Sequence, residues 1–202
     1  MQVVKSEVLV SEEGGQAPAT PGTGALVTAA RAGDRRAMGE LYQNHRRLVH
    51  GLALAQLPPA DVDDLVQEVF LQAMRKLDSL REVEAFGPWL ATITRHSIAN
   101  RHRARRLRAE TSDTDLPEAT DGAGGGGRSS AEARATAAEI LALIHQLPLP
   151  YREPLVLRLV EGMTGPEIAE RTGLAPASVR VNLHRGMTKL RELLQARGED
   201  RP

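Results

Sequence analysis

An all-α fold of two small helical domains joined by a flexible linker follows from three observations. Apolar residues recur at helical spacing over long stretches. Prolines and glycines cut those stretches into short helices. Aromatic content is only 2%, which disfavours a β-sandwich or a stacking-rich single-strand binder. The 202 residues suffice for one or two domains, each with a modest core.

Residues 1–24 end in a Gly/Pro-rich run from Gly14 to Gly24 and read as a disordered arm, because such composition buries too little apolar surface to offset ordering entropy. A first domain is expected over 25–108. Leu41, Leu48, Leu52 and Ala55 recur at three, four and seven, and Pro58-Pro59 breaks that helix. Asp61, Asp63 and Asp64 open the next one, where the macrodipole prefers acids, and Arg75 and Lys76 close it. Its buried stripe is Leu65, Val66, Val69, Ala73, Met74 and Leu77. A loop from Asp78 to Glu84 precedes a third helix, from about Ala85 through Trp89, Ile93 and Ile98 to Arg108. Residues 109–134, acidic and carrying Gly122–Gly127, read as a flexible linker. The second domain is expected over 135–197, with 198–202 as a tail. Ile140, Leu143, Ile144 and Leu147 mark its first helix, which ends at Pro148-Leu-Pro150. A second helix is expected to restart near Pro154, since proline suits a first turn, and to carry Leu155, Leu157, Leu159 and Val160 as far as Gly162.

Met163 to Met187 then reads as a short helix, a glycine turn and a second helix with a basic outer face, the sequence form of a helix-turn-helix. Thr164 can cap the helix carrying Ile168 and Ala169. Gly173 supplies the turn, with Leu174 beneath it. Pro176 opens the second helix, and Val179, Leu183 and Leu190 face inward at spacings of four and seven. That orientation turns Ala177, Ser178, Arg180, Val181, Asn182, His184 and Arg185 outward, towards a DNA major groove. Ser178, Val181 and Asn182 are assigned to base edges, Arg180 and Arg185 mainly to phosphate.

Formal net charge is zero, but the average hides two basic blocks. Residues 25–108 carry 14 basic and 9 acidic side chains, and 134–202 carry 10 and 8. Between them, 109–133 carry one basic and six acidic. Arg95 to Arg108 holds six arginines and no acid, a strong local field for phosphate. Phe86 and Trp89, just upstream, could stack on an unpaired base, although Trp89 more readily packs with Leu90 and Ile93. With no cysteine, disulfides and thiolate metal sites are excluded. No secretory signal or membrane-spanning run is expected. His45 and His50 are five apart and would not share a helical face as metal ligands. Glu167 and Glu170 read as helix-surface charges. The glycine run lacks the Lys-Ser/Thr of a phosphate loop. No enzyme, cofactor or metal is expected.

Asp64-Leu-Val-Gln-Glu-Val-Phe-Leu-Gln-Ala-Met-Arg-Lys-Leu77 resembles the region 2 helix of bacterial extracytoplasmic-function (ECF) sigma factors, and Phe86-Gly-Pro-Trp-Leu-Ala-Thr-Ile-Thr-Arg95 resembles the segment that follows it. Leu147-Pro148, Arg152-Glu153, Leu157-Arg158 and Glu161-Gly162 lead into the helix-turn-helix as in the family's region 4. The resemblance covers roughly 25–108 and 135–195. It implies a protein that binds core RNA polymerase, through the clamp helices of the largest subunit and the flap, and directs it to promoter DNA. The implied polymerase face is Asp64, Gln67, Glu68, Leu71, Gln72 and Arg75. The implied −10 surface is the loop Leu80–Phe86 and the helix after it, with Phe86, Trp89, Arg95, His96, Asn100, Arg101, Arg103 and Arg105. The −35 surface is the outward face from Ala177 to Arg185. His96 and Asn100 depart from the family's usual asparagine and aspartate, and Val181 and Asn182 from its commonly basic or polar residues. An anti-sigma factor and a cytoplasmic location are implied too. The alternative is a helix-turn-helix activator or repressor that acts without core polymerase.

Overall fold

The structure, a computed structural model, describes residues 21–111 and 128–199. Of the arm expected over 1–24, residues 1–20 lie outside the described residues, as do linker residues 112–127 and tail residues 200–202, while its last two residues, Thr23 and Gly24, belong to the first helix. The described residues form eight α-helices: α1 (Thr23–Arg31), α2 (Arg35–Leu54), α3 (Val62–Arg75), α4 (Phe86–Thr111), α5 (Arg128–Gln146), α6 (Leu149–Leu159), α7 (Gly165–Thr172) and α8 (Pro176–Glu199). The expected helical stretch after Ala25 is two helices. Gly33, at φ 89°, turns the chain, and the Asp34 side chain caps α2 by accepting from the Arg36 and Ala37 amides.

In the first half α1, α3 and α4 pack around α2. Leu41, Val49, Leu65, Val69, Phe86, Leu90 and Ile98 are all buried there. The expected Asp78–Glu84 loop contains two 3-10 turns, Leu77–Ser79 and Val83–Ala85. Arg31 fastens it, donating to the carbonyls of Leu77 (3.0 Å) and Leu80.

In the second half α6 does not restart at Pro154. It begins at Leu149 with Pro150 in its first turn, and Pro154 lies inside it. Pro154 is the sixth helical residue, just beyond the four amides that lack an intrahelical acceptor in any helix, so few backbone bonds are lost. The expected linker is also shorter than 109–134. α4 continues to Thr111 and α5 starts at Arg128, in an Ala- and Glu-containing stretch of good helix formers.

The two halves pack against each other, α2 on α6 and α4 on α7. Leu48, Leu52 and Ala91 of the first half share one buried cluster with Leu157, Met163, Ile168, Ala169 and Val179 of the second. α2 can come this close because residue 51 is glycine. A Cβ there would lie 2.7 Å from Leu157 Cδ2 and 2.9 Å from Glu161 Cγ. Two carboxylates of the second half are buried in the junction, each 8% exposed, and each is held from the first half. Glu153 accepts from Gln56 Nε2 at 3.1 Å and from Arg95 Nη2 at 2.8 Å. Glu161 lies 2.5 Å from His50 Nδ1 and 3.8 Å from Arg47 Nε. Arg171 donates to the Asn44 carbonyl, and His145 Nε2 lies 2.8 Å from the Leu54 carbonyl oxygen.

The hydrogen bond to Glu161 raises the His50 pKa above the usual histidine value, against the opposing effect of burial. Asp63 adds to the rise and Arg46 reduces it. A raised folded-state pKa gives stability that is complete below the ordinary histidine pKa of about 6.5 and is lost as pH climbs through the folded value. The gap in Tm between the wild type and His50→Ala is therefore expected to be widest below that pH and to narrow above it, measured by thermal melts across a pH series. A gap independent of pH would remove the ion pair from the account.

Candidate nucleic-acid interface

The helix-turn-helix is built as its sequence spacing suggests. Thr164 Oγ1 accepts from the Glu167 amide at 3.4 Å, and a Glu167 carboxylate oxygen accepts from the Thr164 amide at 2.7 Å, a reciprocal capping box. The Thr164 amide and the Thr164 hydroxyl both donate to that carboxylate and lower the Glu167 carboxyl pKa. Gly173 ends α7 at φ 73°, a left-handed conformation that costs a residue with a Cβ. α8 leaves the turn with Val179 and Leu190 buried and Leu183 partly so. Ala177, Ser178, Arg180, Val181, His184 and Arg185 are exposed and Asn182 half-buried. All seven lie on the first three turns of α8, and Val181 keeps 43% of its surface exposed. α8 packs on α5, α6 and α7, which leaves this face open to a groove.

The α4 surface differs more from expectation. Phe86 is 0% exposed. It lies under the edge of His45 (ring centroids 4.8 Å apart) and against Trp89 (5.8 Å), so it is a core residue and cannot stack on a base in this arrangement. Trp89 is half-buried and packs on the same core. Burial holds the His45 pKa down to about 4, so this histidine is neutral beside Phe86.

Of the arginines, Arg95 is committed to Glu153. Arg101 donates to the Asp61 carbonyl at 3.1 Å and to Glu68 at 3.2 Å. Arg105 pairs with Asp61, and Arg103 donates to Asn100 Oδ1 at 3.2 Å. The field of the arginine run is thus partly neutralised by acids from α3, from the turn just before it and from α6, which linear spacing could not show. His96, Asn100 and Arg103 are exposed along one side of α4.

Asp64, Gln67, Glu68, Leu71 and Arg75 are exposed on α3, with Gln72 half-buried. Gln72 accepts from Ser97 of α4 at 3.1 Å, and Glu68 is bonded to Arg101, so the α3 and α4 surfaces adjoin. Leu71 is 59% exposed. It borders an apolar hollow with Met38, Tyr42, Gln67, Phe70 and Met74, where Tyr42 and Phe70 pack with centroids 4.7 Å apart. Met38 and Tyr42 were missed as surface candidates. Their signal is an i, i+4 apolar pair lying off the Leu41–Leu48 stripe.

The Sigma-70 region 2 and Sigma-70 region 4 families match residues 41–108 and 137–190. The RNA polymerase sigma factor NccH of Alcaligenes xylosoxydans xylosoxydans is 34% identical over 181 residues, 85% of this chain and 94% of that protein. The chain belongs to the ECF RNA polymerase sigma factors. The ECF sigma-E factor of Escherichia coli is 32% identical over 167 residues, covering 79% of this sigma factor and 87% of its relative. A solved structure of CnrH in complex with the cytosolic domain of CnrY superposes with a TM-score of 0.58 at 28% identity, covering 86% of this chain and 97% of that one.

The burial of Phe86 yields a prediction. Phe86→Ala should cost about 3–5 kcal/mol of stability, the usual range for emptying a core aromatic site, read by denaturant unfolding. Full stability combined with weaker binding to single-stranded DNA would instead return Phe86 to the DNA surface.

Proposed function

We propose that this sigma factor grips core RNA polymerase through the exposed face of α3, the −10 element through α4 and the −35 element through α8. The observation that carries the reading is the pairing of an outward polar α3 face around an exposed Leu71 with an outward, open reading face on α8 of the same chain. The α3 face carries Asp64, Gln67, Glu68, Gln72 and Arg75 around that leucine, and the adjoining hollow offers Met38, Tyr42 and Met74 as further contact area. Apolar side chains ringed by polar ones are what a protein-binding surface presents.

On α4 the −10 surface comprises His96, Asn100 and Arg103, with Trp89, Arg95, Arg101 and Arg105 joining once their present partners release them. On α8, Arg180 and Arg185 lie at the margins and meet phosphate, while Ser178, Val181 and Asn182 meet base edges. The protein acts by binding and positioning, with no reaction of its own and no cofactor. A regulatory anti-sigma partner is part of the proposal, because the similar CnrH was solved together with a domain of CnrY. The protein would work in the cytoplasm, where polymerase and promoters are. No helix among the described residues is long and apolar enough to cross a membrane.

Run-off transcription with purified core polymerase on a genomic promoter pool tests the whole reading. Initiation is expected only when the protein is added, and its absence on every promoter would end the proposal. Leu71→Ser should weaken core binding with helicity unchanged by circular dichroism. Normal affinity would move the docking face elsewhere. Val181 has no polar group, and the thymine methyl is the apolar feature of base edges in the major groove. Replacing one −35 thymine by uracil should therefore weaken binding by about 0.8 kcal/mol, the value of one methyl-sized contact, and Val181→Ala should abolish that sensitivity. Equal loss in wild type and variant would assign the methyl to another side chain.

A further inference from the structure

We propose that the hollow between the C-terminal half of α4 and the start of α6 is a binding site for a free nucleotide, one that carries two or more linked phosphates.

The hollow holds about 660 Å³, within the range of roughly 300–1,000 Å³ typical of small-molecule sites. One wall is a single face of α4. Arg95, Ala99, His102, Arg103 and Arg106 line it, at spacings that stack side chains on one side of a helix. Leu149 and Glu153 of α6 and Gln56, just past α2, line the rest.

The charges of this hollow are unmatched. Arg95 is engaged by Glu153 at 2.8 Å, so that pair cancels. Arg103 bonds only a neutral acceptor among the described residues, Asn100 Oδ1, at 3.2 Å. Arg106 and His102 make no hydrogen bond or ion pair with any described residue. The opposite flank of α4 is different: there Glu68 and Asp61 neutralise Arg101 and Arg105. Arg103 and Arg106 are three residues apart and so neighbours on the helix surface. Both guanidiniums can fork onto the linked phosphates of one ligand. α6 begins at the same hollow with Leu149, and no side chain caps it, so the positive end of its dipole adds to the field.

The remaining walls define the rest of the ligand. Leu107 of α4 is 55% exposed and Leu149 of α6 43%, and both line the hollow. Exposed leucines from two helices around one gap offer apolar contact to a flat, weakly hydrated group. The Gln56 amide donates to Glu153 at 3.1 Å, and the Gln56 carbonyl and the Glu153 carboxylate are acceptors for a hydroxyl or an amino group. A nucleotide supplies all three parts: linked phosphates, a planar base and ribose hydroxyls. An acidic peptide fits less well, because its carboxylates would meet Glu153. Arg95 and Arg103 also belong to the −10 surface proposed above, so a seated nucleotide competes with the promoter strand. That consequence, unlike the site, rests on the sigma-factor reading.

Isothermal titration of the full chain with adenosine diphosphate, guanosine diphosphate, inorganic pyrophosphate and adenosine tests the site. One saturable site is expected for at least one of the two nucleotides, with pyrophosphate about tenfold weaker for want of the apolar contact. Arg106→Ala should weaken the nucleotide about tenfold, as the loss of one charge-assisted hydrogen bond does. Leu149→Ser should weaken the nucleotide and leave pyrophosphate unchanged. Both positions are exposed. Should Arg106→Ala lose helicity by circular dichroism, Arg106→Gln carries the same test. Arg35→Ala removes an exposed cation from the far end of α2 and should change nothing; a loss equal to that of Arg106→Ala would mean general attraction and overturn the site. No saturable binding by either nucleotide overturns the proposal. So does adenosine or pyrophosphate that binds as tightly as both nucleotides, or an oligoglutamate peptide that binds more tightly.

At about ten times its Kd the nucleotide should weaken binding of a −10 single-stranded oligonucleotide about tenfold by mass action. Unchanged strand affinity would overturn the shared use of Arg95 and Arg103. A strand that binds the wild type at no concentration would count against the sigma-factor reading, and the direct titration would still decide the site.

Discussion

Five consecutive residues of α6, Glu153 to Leu157, are buried, and the arrangement of the molecule follows from that. A helix hidden on all its faces has neighbours on all of them. α8 packs on α6, and so does α2 of the other half. Leu155 and Val156 belong to the larger core, and Leu157 to the cluster spanning the junction. Because α6 precedes the helix-turn-helix directly, fixing α6 on α2 also fixes α7 on α4. The position of α8 relative to the first half is thus decided by α6 rather than by the exposed face of α8 itself.

Much of the architecture was legible because it is local. Spacing of three and four along Leu65, Val66 and Val69 defines a helix whatever lies across from it. The capping box of Thr164 and Glu167, the left-handed Gly173 and the inward Val179 and Leu190 are all set within a few residues of chain. Misread points were those decided by partners distant in sequence. Pro154 looked like a helix start because the rule for proline is local, whereas its burial against other helices is not. Phe86 looked available for stacking because only the fold brings His45 to its face. Gly33 and Asp34, a turn and a cap, carried a local signal that the longer apolar rhythm of α2 obscured.

Charge was the least legible property. Six arginines without an acid between Arg95 and Arg108 suggest an open cationic face. In three dimensions Asp61, Glu68 and Glu153 come to three of them. The acids lie 33 to 58 residues away in sequence, so no window along the chain pairs them. Such pairing need not reduce function. Partly exposed pairs like that of Arg101 and Glu68 are weak in water and exchange readily for phosphate, while orienting the side chains beforehand.

Trp89 is the sole tryptophan of the chain, and it sits half-buried at the start of α4, next to the proline that meets Gly173 across the junction. An indole in that position is a built-in optical gauge. Its emission wavelength and its accessibility to a soluble quencher follow the local wetting of this junction, so the native, unlabelled protein carries its own record of how closely its two halves are joined.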